Sequence, residues 1–460
     1  FVMILQESTT IAAIATPPGY GGIGIIRLSG PDALFYTRRL LKDAENLPFE
    51  PNYCRLFSLF DPDKQSFLDQ AVITYFAAPK SFTGEDVVEI SLHGSPVVLS
   101  EVLRLLFSFG VKPAEPGEFT YRAFLNGRID LTQAEAINDL IHSTTLGQAQ
   151  VAARQLQGQL SKEVRPLKEA LVRLIVLFES SVEFVEDNLN SLDIQSISDE
   201  LCNLTHSIEQ LISSYQFGRF LRVGIKLAIV GRPNVGKSSL FNKLLGCDRA
   251  IVTNIPGTTR DTLNERFSLN GIPIELIDTA GIRETSDIIE RIGVERTRTA
   301  ISEADFIIAV IEPNHELLEL ESAFLSHAPF NFLVINKCDL GCTILDKDLD
   351  NLSQGRPYLL VSALSGEGID DLRQHLSNTL TNGVRSEYDG GIITQERHYL
   401  ALKEALVALH TALADLKHGY TEEIILVHLH QALSSLGLIT GETLIVDILN
   451  QIFSTFCIGK

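Results

Sequence analysis

Residues 226–246 read KLAIVGRPNVGKSSLFNKLLG, which is an apolar strand, a loop with two glycines and the start of a helical stretch. Within it, residues 231–238 match the pattern G-x-x-x-x-G-K-[ST], with a strand before and a helix after, as that motif requires. Backbone N–H groups of such a loop and of the following helix surround phosphate oxygens. We therefore expect Lys237 to reach the β- and γ-phosphates of a nucleotide and the Ser238 hydroxyl to ligate Mg²⁺.

Four further elements identify the nucleotide. DTAG at 278–281 ends a strand and brings a carboxylate near Mg²⁺, and Thr259 within GTTRD (257–261) is placed to be a second Mg²⁺ ligand. NKCD at 336–339 ends another strand, and its Asp339 would accept hydrogen bonds from the N1–H and amino group of guanine. Adenine lacks that pair of donors, so the motif selects GTP over ATP. SAL at 362–364 resembles the loop that supports the guanine ring, and the set predicts a GTPase.

The pattern of elements divides the chain into four zones. Residues 1–126 mix one helical stretch with four short runs that predict strands, TIAAIAT, GIGIIRLSG, AVITYFAAP and VVEISLHG, which indicates an α+β domain. Residues 127–220 and 383–460 show amphipathic helical spacing, and their apolar stripes need partners. Residues 221–382 alternate helices with five apolar strands, KLAIVG, PIELIDTAG, FIIAVIE, FLVINKCD and PYLLVSA, as in a Ras-like P-loop G domain with a mainly parallel sheet. We expect the two helical zones to form one all-helical domain into which the G domain is inserted.

The charge and cysteine content limit the possible partners and location. The 460 residues carry a formal net charge of −20, and the deficit is spread over all four zones. Since RNA-binding domains usually present a basic face, this argues against strong nucleic-acid binding by the chain alone. Six scattered cysteines form no zinc pattern and indicate a reducing compartment. No apolar run approaches the roughly 18–20 residues of a membrane span. We expect a cytoplasmic protein without membrane contact.

The residue that orients the attacking water is not found at its usual place. In Ras-like proteins a glutamine follows the glycine of the DTAG-type motif. Here that position is Ile282, which cannot orient water, and Arg260 and Arg283 are the nearby candidates for an arginine finger. The catalytic groups are therefore expected to come from elsewhere.

Characteristic stretches occur along the whole chain. They are ATPPGYGGIGIIRLSG, SFTGEDVVEISLHG, PGEFTYRAFLNGRIDLTQAEAI, GRPNVGKS, VTNIPGTTRD, DTAGIRE followed by IIERIGVER, NKCD, and the carboxy-terminal FCIGK. Together they resemble the MnmE (TrmE) family of tRNA-modification GTPases. The segments near the two ends are more specific to the family than the general G-domain motifs are.

The resemblance implies a potassium-activated GTPase whose G domains dimerise. K⁺ would be held by the Asn234 side chain and by carbonyls of the loop with Thr253, Ile255 and Thr258. Glu290 matches the water-orienting glutamate; the alternatives are a solvated helix charge for Glu290 and a spacer role for Asn234. The implied GTP-binding residues are Asn234, Val235, Gly236, Lys237, Ser238, Ser239, Thr253, Asn254, Ile255, Pro256, Gly257, Thr258, Thr259, Asp278, Thr279, Ala280, Gly281, Asn336, Lys337, Asp339, Ser362, Ala363 and Leu364.

For the amino-terminal domain the resemblance implies a folate site and a dimer contact. Arg27, Glu89, Arg128 and Lys460 match positions that bind a 5-formyl- or methylene-tetrahydrofolate. Arg128 stands where relatives can carry lysine, and the two cations present different donor geometries. Cys457 lies in the same terminal motif, where a catalytic thiol and a packing role both remain open. Its C-a-a-X-like position does not favour prenylation, since a terminal lysine is a poor final residue.

The implied activity is tRNA modification by a homodimer. With an FAD-containing MnmG (GidA)-type partner, in a heterotetramer, the chain would add a carboxymethylaminomethyl-type group to C5 of the wobble uridine of certain tRNAs. A one-carbon unit from folate would supply the methylene. Two alternatives remain: a ribosome-assembly GTPase of the Era or Der type, and a stand-alone switch with a regulatory folate domain. Residues 383–460 are helical and acidic, unlike the basic RNA-binding appendage of the first alternative.

Overall fold

The computed structural model describes residues 9–42, 49–183, 193–246, 265–277, 301–314, 318–327, 329–380, 391–443 and 446–459. The chain forms two compact units. The first comprises residues 1–138, 155–191 and 417–460, and the second comprises residues 139–154 and 192–416. Helices α4 (Leu131–Ile141), α5 (Leu146–Leu156) and α13 (Glu396–His418) run across unit boundaries.

The first unit contains a six-stranded sheet in the order β3-β4-β5-β2-β1-β6. Its neighbouring strands are antiparallel, except for the parallel pair β1 and β6. The strands are β1 (Ile11–Ile14), β2 (Gly21–Ser29), β3 (Cys54–Asp61), β4 (Ser66–Phe76), β5 (Val87–Gly94) and β6 (Lys112–Pro113). The helices α1 (Ala33–Arg38) and α2 (Pro96–Ser108) complete this α+β domain.

Alternating side chains decide which face of this sheet is buried. In β5, Val88, Ile90 and Leu92 are buried, whereas Glu89 lies on the opposite, partly exposed face. This is the two-residue period of a strand with one covered face. The buried face joins the core of α2, whose Pro96 occupies the first turn, where a missing N–H costs little. The predicted strands at β1, β2, β4 and β5 are confirmed, and β3 and β6 were missed.

Helices also belong to the first unit: α3 (Glu118–Leu125), α6 (Gln159–Glu183), α14 (Glu422–Thr440) and α15 (Val446–Ser454). Helix α6 packs against α14, although their sequences lie in different predicted helical zones. By length and composition alone, α14 is apolar enough to cross a membrane, contrary to the expectation that no segment would be. Its side chains Ile425, Leu429, Leu436 and Ile439 are buried in the protein.

The second unit contains a six-stranded sheet in the order β12-β11-β10-β7-β9-β8. Five strands are parallel, and β8 is antiparallel to β9, so the mainly parallel G-domain sheet is confirmed. Buried clusters lie on both faces, which explains the continuous apolar runs. The strands are β7 (Ile225–Val230), β8 (Glu265–Leu269), β9 (Ile272–Ile277), β10 (Phe306–Ile311), β11 (Phe332–Ile335) and β12 (Tyr358–Leu360).

Six helices of the described residues precede, separate or follow the strands of this sheet in sequence. They are α7 (Ile194–Ser213), α8 (Tyr215–Val223), α9 (Lys237–Leu245), α10 (Leu318–His327), α11 (Asp346–Ser353) and α12 (Ile369–Leu380). Helix α8 and the start of α13 meet closely. A Cβ at Gly218 would lie 2.1 Å from the Ile393 carbonyl oxygen, and Tyr215 stacks on Tyr399 with ring centroids 4.2 Å apart. Helical segments before and after the G-domain sequence therefore pack together, while the predicted domain boundaries remain predictions.

Candidate functional site

The phosphate loop of the second unit is shaped by two glycines between β7 and α9. A Cβ at Gly231 would lie 2.4 Å from the Val310 carbonyl oxygen of the adjacent strand. Gly236 has φ +92°, and a Cβ there would lie 2.2 Å from Nδ2 of Asn336. Only glycine fits both the close approach and the left-handed conformation. The loop therefore wraps tightly round the amino terminus of α9, where backbone N–H groups can face an anion.

Positive charge is concentrated inside this loop. Lys237 Nζ donates hydrogen bonds to the carbonyl oxygens of Gly231 at 2.9 Å and Arg232 at 2.8 Å. The side chains of Ser238 and Ser239 are exposed in the first turn of α9. A serine hydroxyl is an oxygen ligand of the kind that Mg²⁺ takes beside substrate phosphates. The arrangement fits the predicted roles of Lys237 and Ser238.

Asn336 joins three motifs that are far apart in sequence. Its Nδ2 donates to the Val235 carbonyl oxygen at 2.8 Å, and its Oδ1 accepts from the Ala363 N–H at 2.9 Å. The residue is 1% exposed, so these hydrogen bonds are shielded from water. One buried amide thus ties the phosphate loop to the two motifs predicted to contact guanine.

The carboxylate predicted to select guanine is also oriented. The Ser362 hydroxyl donates to Asp339 Oδ1 at 2.5 Å and accepts from the Ser365 N–H at 3.1 Å. Asp339 itself is exposed and Ser362 is fully buried. Leu364 is 82% exposed, next to the buried Ala363. The structure therefore brings NKCD and SAL to one edge of the sheet, with Asp339 facing outward.

Two acidic residues that the sequence did not predict support the phosphate loop. Glu312 forms an ion pair with Lys337, whose Nζ also donates to the Asn234 carbonyl oxygen at 2.6 Å. Glu321, on α10, is fully buried, and its Oε1 lies 3.6 Å from Nη1 of Arg232. Burial raises the pKa of Glu321, and the Arg232 charge opposes that rise. A sequence signal exists only for Glu312, which directly follows β10 at the edge where the other loops meet.

Part of the predicted site lies outside the described residues. This applies to the K⁺-loop residues, the second Mg²⁺ ligand, the DTAG motif, the water-orienting glutamate and the last folate residue. They are Thr253, Asn254, Ile255, Pro256, Gly257, Thr258, Thr259, Asp278, Thr279, Ala280, Gly281, Glu290 and Lys460. Their assigned roles remain predictions.

A second candidate site lies on the sheet of the first unit. Arg27 on β2 and Glu89 on β5 are direct cross-strand partners. Arg27 donates through Nε at 2.9 Å and Nη2 at 2.7 Å, and both bonds go to Oε1 of Glu89. Arg27 Nη1 also donates to the Gly459 carbonyl oxygen at 3.4 Å. Two of the predicted folate residues and the carboxy-terminal segment therefore meet at one place.

Aromatic side chains and a loop frame this pair. The Arg27 guanidinium lies 5.8 Å from the ring centroids of both Phe82 and Phe119. A Cβ added to Gly84, in the same loop as Phe82, would lie 3.3 Å from Cγ of Arg128. Arg128 thus contacts the loop that covers Arg27, but the structure gives it no direct contact with Arg27 or Glu89.

Cys457 occupies the tail that leads to this site. It is exposed, and its carbonyl oxygen accepts from the Gly117 N–H at 3.3 Å. Its neighbour Phe456 is buried and packs against Phe453 with ring centroids 5.2 Å apart. The geometry shows how the tail is anchored and leaves the two roles considered for Cys457 open.

Comparison with known proteins agrees with this arrangement. A family model described as the MnmE helical domain matches residues 131–457, and one described as the GTP-binding protein TrmE N-terminus matches residues 10–128. The chain belongs to the MnmE family. It is 45% identical to the tRNA modification GTPase MnmE of Koribacter versatilis, over 98% of this chain and 99% of that protein. The tRNA modification GTPases MnmE of Natranaerobius thermophilus and Aquifex aeolicus are 42% and 43% identical, with the same coverage.

Membership of the MnmE family and the assembled guanine-nucleotide site define the class of enzyme. The chain is a GTP hydrolase, with Mg²⁺ as the metal of the bound nucleotide.

Proposed function

We propose that this chain is a potassium-dependent GTPase that modifies tRNA together with an FAD-containing MnmG-type partner. The product is a carboxymethylaminomethyl-type group at C5 of the wobble uridine, with its methylene taken from a folate one-carbon unit. The observation that carries the proposal is the pairing of Arg27 with Glu89 in a chain that also holds an assembled guanine-nucleotide site. Both lie in a sequence that matches MnmE relatives over 98% of its length.

The cation requirement is argued from Asn234. Its backbone has φ +68°, and its carbonyl oxygen accepts a hydrogen bond from Lys337. Its side chain is exposed at the phosphate loop. An amide oxygen held there suits a hard cation such as K⁺. When bound, K⁺ supplies positive charge that stabilises the phosphates as the bond to the γ-phosphoryl group breaks. Lys237 binds the phosphates, and Glu290 orients the attacking water because Ile282 cannot.

The folate site is argued from the free oxygen of Glu89. Both hydrogen bonds from Arg27 go to Oε1, so among the described residues Oε2 accepts none. A carboxylate oxygen in this position can accept from the amino and ring N–H groups of a pterin. Arg128 and Lys460 supply cations for the carboxylates of the cofactor. The side chains of Arg27 and Glu89 are only 20% and 26% exposed, which strengthens such charged contacts.

The homodimer is argued from apolar side chains on the first unit that face solvent. Tyr20 is 92% exposed, Val97 75% and Ile23 67%. On β3 and β4, Leu56 and Phe67 are also more than half exposed. Groups of exposed large apolar residues mark interaction surfaces in proteins. We assign these to the contact between two copies of the amino-terminal domain.

The acidity of the chain indicates that the partner makes many of the contacts with the tRNA phosphates. With a net charge of −20, the chain alone would bind tRNA weakly, and the FAD protein would supply much of the phosphate contact. Such an assembly is expected in the cytoplasm, where tRNA and folates are found together.

Nucleoside analysis of tRNA tests the proposal. A strain lacking this chain should lose the carboxymethylaminomethyl-type group from its wobble uridines, and the parent gene should restore it. The Lys237→Ala variant, which cannot bind the phosphates, should fail to restore it. Retention of the modification in the deletion strain would contradict the main proposal. Pull-down of an FAD protein separates this function from that of a ribosome-assembly GTPase or a stand-alone switch.

A further inference from the structure

A basic cleft lies entirely within the first unit and has no role in the sites described above, apart from its edge at Arg128. Its volume is about 1010 Å³. One wall is a face of α6, and the other walls are the loop before α4 and the end of α14. The residues used below are Arg128, Asp130, Arg165, Lys168, Arg173 and Glu442, all of which line it.

Four cations line this cleft against three acids, which are Asp130, Glu169 and Glu442. Arg128 and Arg165 are exposed, and neither donates a hydrogen bond to another residue in the described part of the chain. Asp130, by contrast, accepts from the Ser161 hydroxyl at 2.5 Å and the Thr132 hydroxyl at 2.6 Å. The cleft therefore presents the guanidinium groups of Arg128 and Arg165 beside Asp130, a carboxylate that is already engaged.

Glu442 is engaged as well. It forms an ion pair with Lys168, and its pKa is lowered by the hydrogen bond from Lys168 and, to a smaller extent, by the charge of Arg165. Since one lysine satisfies this carboxylate, the Arg165 guanidinium keeps most of its donors for another anion. A guanidinium matches two phosphate oxygens in a fork.

The cations are spaced for a repeating anion. Arg165, Lys168 and Arg173 line the cleft from α6, and the acidic Glu169 lies between the two arginines. Arg165 and Arg173 are eight residues apart, which at the α-helical rise is about 12 Å. A nucleic-acid strand carries one phosphate per about 3.4 Å of axis, so this row faces several successive phosphates. A small anion would use one end of the row only, because the cleft is wide.

We propose that this basic cleft is the surface through which the chain contacts the phosphate backbone of its tRNA substrate. The inference rests on the proposed function, which supplies tRNA as the substrate. It locates the chain's own share of the phosphate contacts on α6, in a protein that is otherwise acidic. Arg165 and Arg173 hold the RNA strand, and Arg128, which is also a predicted folate residue, lines the same cleft.

The test compares two double variants of the intact chain. In Arg165→Ala/Arg173→Ala both substitutions lie in the cleft. In Lys64→Ala/Arg104→Ala the same charge is removed from another part of the first unit, where both cations flank Glu101. The probe is a fluorescent, unmodified tRNA transcript with a wobble uridine. Its anisotropy is measured over a range of salt concentrations, starting at low salt because the parent chain is expected to bind weakly.

The cleft variant should bind tRNA about tenfold more weakly at low salt, and the slope of log K against log salt should fall by about 1.4–1.8, or 0.7–0.9 per lost phosphate contact. Arg165→Lys/Arg173→Lys should recover most of the affinity because it keeps the charge. GTP hydrolysis should be unchanged in all variants. A control variant that weakens binding equally would overturn the proposal, since only the overall field would then matter.

Two other results would also overturn it. The first is an unchanged tRNA affinity in the cleft variant, or no tRNA binding by the parent chain even at low salt. The second is a penta-glutamate peptide that binds the parent and not the cleft variant while tRNA binding stays equal, which would assign the cleft to a small polyanion. The nucleoside analysis of the deletion strain is independent of these results, so failure of the proposed function is recognised separately.

Discussion

The Nδ2 atom of Asn336 lies 2.8 Å from the carbonyl oxygen of Val235, so a residue of the guanine-specific motif holds the backbone of the phosphate loop. Its Oδ1 accepts a hydrogen bond from the Ala363 N–H. The loops predicted to recognise the base and to bind the phosphates are therefore linked through one buried amide. A disturbance of either loop is expected to weaken binding at both ends of the nucleotide.

Asn336→Ala should weaken GTP and GDP binding together. The substitution leaves the Val235 carbonyl and the Ala363 N–H buried without partners, at about 1–3 kcal/mol for each group. Calorimetric titration should show a loss of at least tenfold in affinity for either nucleotide, and thermal unfolding should occur at a lower temperature. Asn351→Ala, on an exposed position of α11, is the matched control and should change neither. Unchanged nucleotide affinity in Asn336→Ala would contradict the linkage.

Gly236→Ala should abolish nucleotide binding for a steric reason. Its Cβ would lie 2.2 Å from Asn336 Nδ2, at a residue with φ +92°. Gly355→Ala separates the two effects, because Gly355 also has positive φ (+75°) but has no atom within 4 Å of an added Cβ. The control should lose about 1 kcal/mol of stability from backbone strain and bind nucleotide normally. Equal nucleotide affinities for the two variants would show that the close contact with Asn336 is unimportant.

Three of the sequence motifs lie close together in the structure because parallel strands impose that geometry. The loops after β7, β11 and β12 all leave the carboxyl ends of parallel strands, and these ends meet at one edge of the sheet. Recognition of GRPNVGKS, NKCD and SAL was therefore sufficient to place them together. The ion pairs of Glu312 and Glu321 could not be predicted, because they depend on how helices and loops pack rather than on a local pattern.

The missed strands have different causes. Strand β8 is joined to β9 by Asn270 and Gly271, with φ +50° and +88°, which is the sequence signal of a tight hairpin turn. This signal is local, so β8 lies within reach of a prediction from sequence. Strand β3 has a weaker sequence signal. Its apolar Leu56 lies on the exposed face, at 59% exposure, where the alternation of a half-buried strand predicts a polar residue. The two-residue β6 is defined only by its parallel pairing with β1.

Glu89→Gln should reduce folate binding and leave GTP hydrolysis unchanged. The substitution removes the negative charge that accepts both Arg27 hydrogen bonds and that is proposed to accept from the N–H groups of the pterin. Hydrogen bonds to charged groups contribute about 1.5–3 kcal/mol, so affinity should fall about 10- to 100-fold. Equilibrium dialysis with 5-formyl-tetrahydrofolate measures it. Glu101→Gln, which breaks an exposed pair on α2, is the control, and equal affinity in both variants would remove Glu89 from the site.

Glu290→Ala should abolish GTP turnover while GTP affinity is retained, because the residue is assigned to the attacking water and not to the nucleotide. Replacement of K⁺ by Na⁺ should have a similar effect on the parent protein, with turnover reduced about 100-fold or more, the scale of one lost charge contact in a transition state. Glu284→Ala is the matched control. Normal turnover by Glu290→Ala would return that residue to the role of a solvated helix charge, and equal rates in K⁺ and Na⁺ would disprove potassium dependence.

The buried Glu321 predicts a pH dependence of stability. Burial raises its pKa above the usual value of 4.5 despite the nearby Arg232. The folded protein therefore holds this proton more tightly than the unfolded chain, and stability falls as the pH rises from about 4.5 through the folded-state pKa. Glu321→Gln carries no such charge. Its free energy of unfolding should therefore equal that of the parent below about pH 4.5 and exceed it increasingly towards neutral pH.

Urea unfolding of the full chain at a series of pH values measures this difference. The control is Glu319→Gln, an exposed neighbour on α10, which should follow the parent at every pH. Because Arg232 belongs to the phosphate loop, Glu321→Gln should also bind GTP differently from the control, as the guanidinium loses its carboxylate partner. If the curves of parent and Glu321→Gln stay parallel across the whole pH range, the carboxylate is paired by Arg232 strongly enough to cancel its burial.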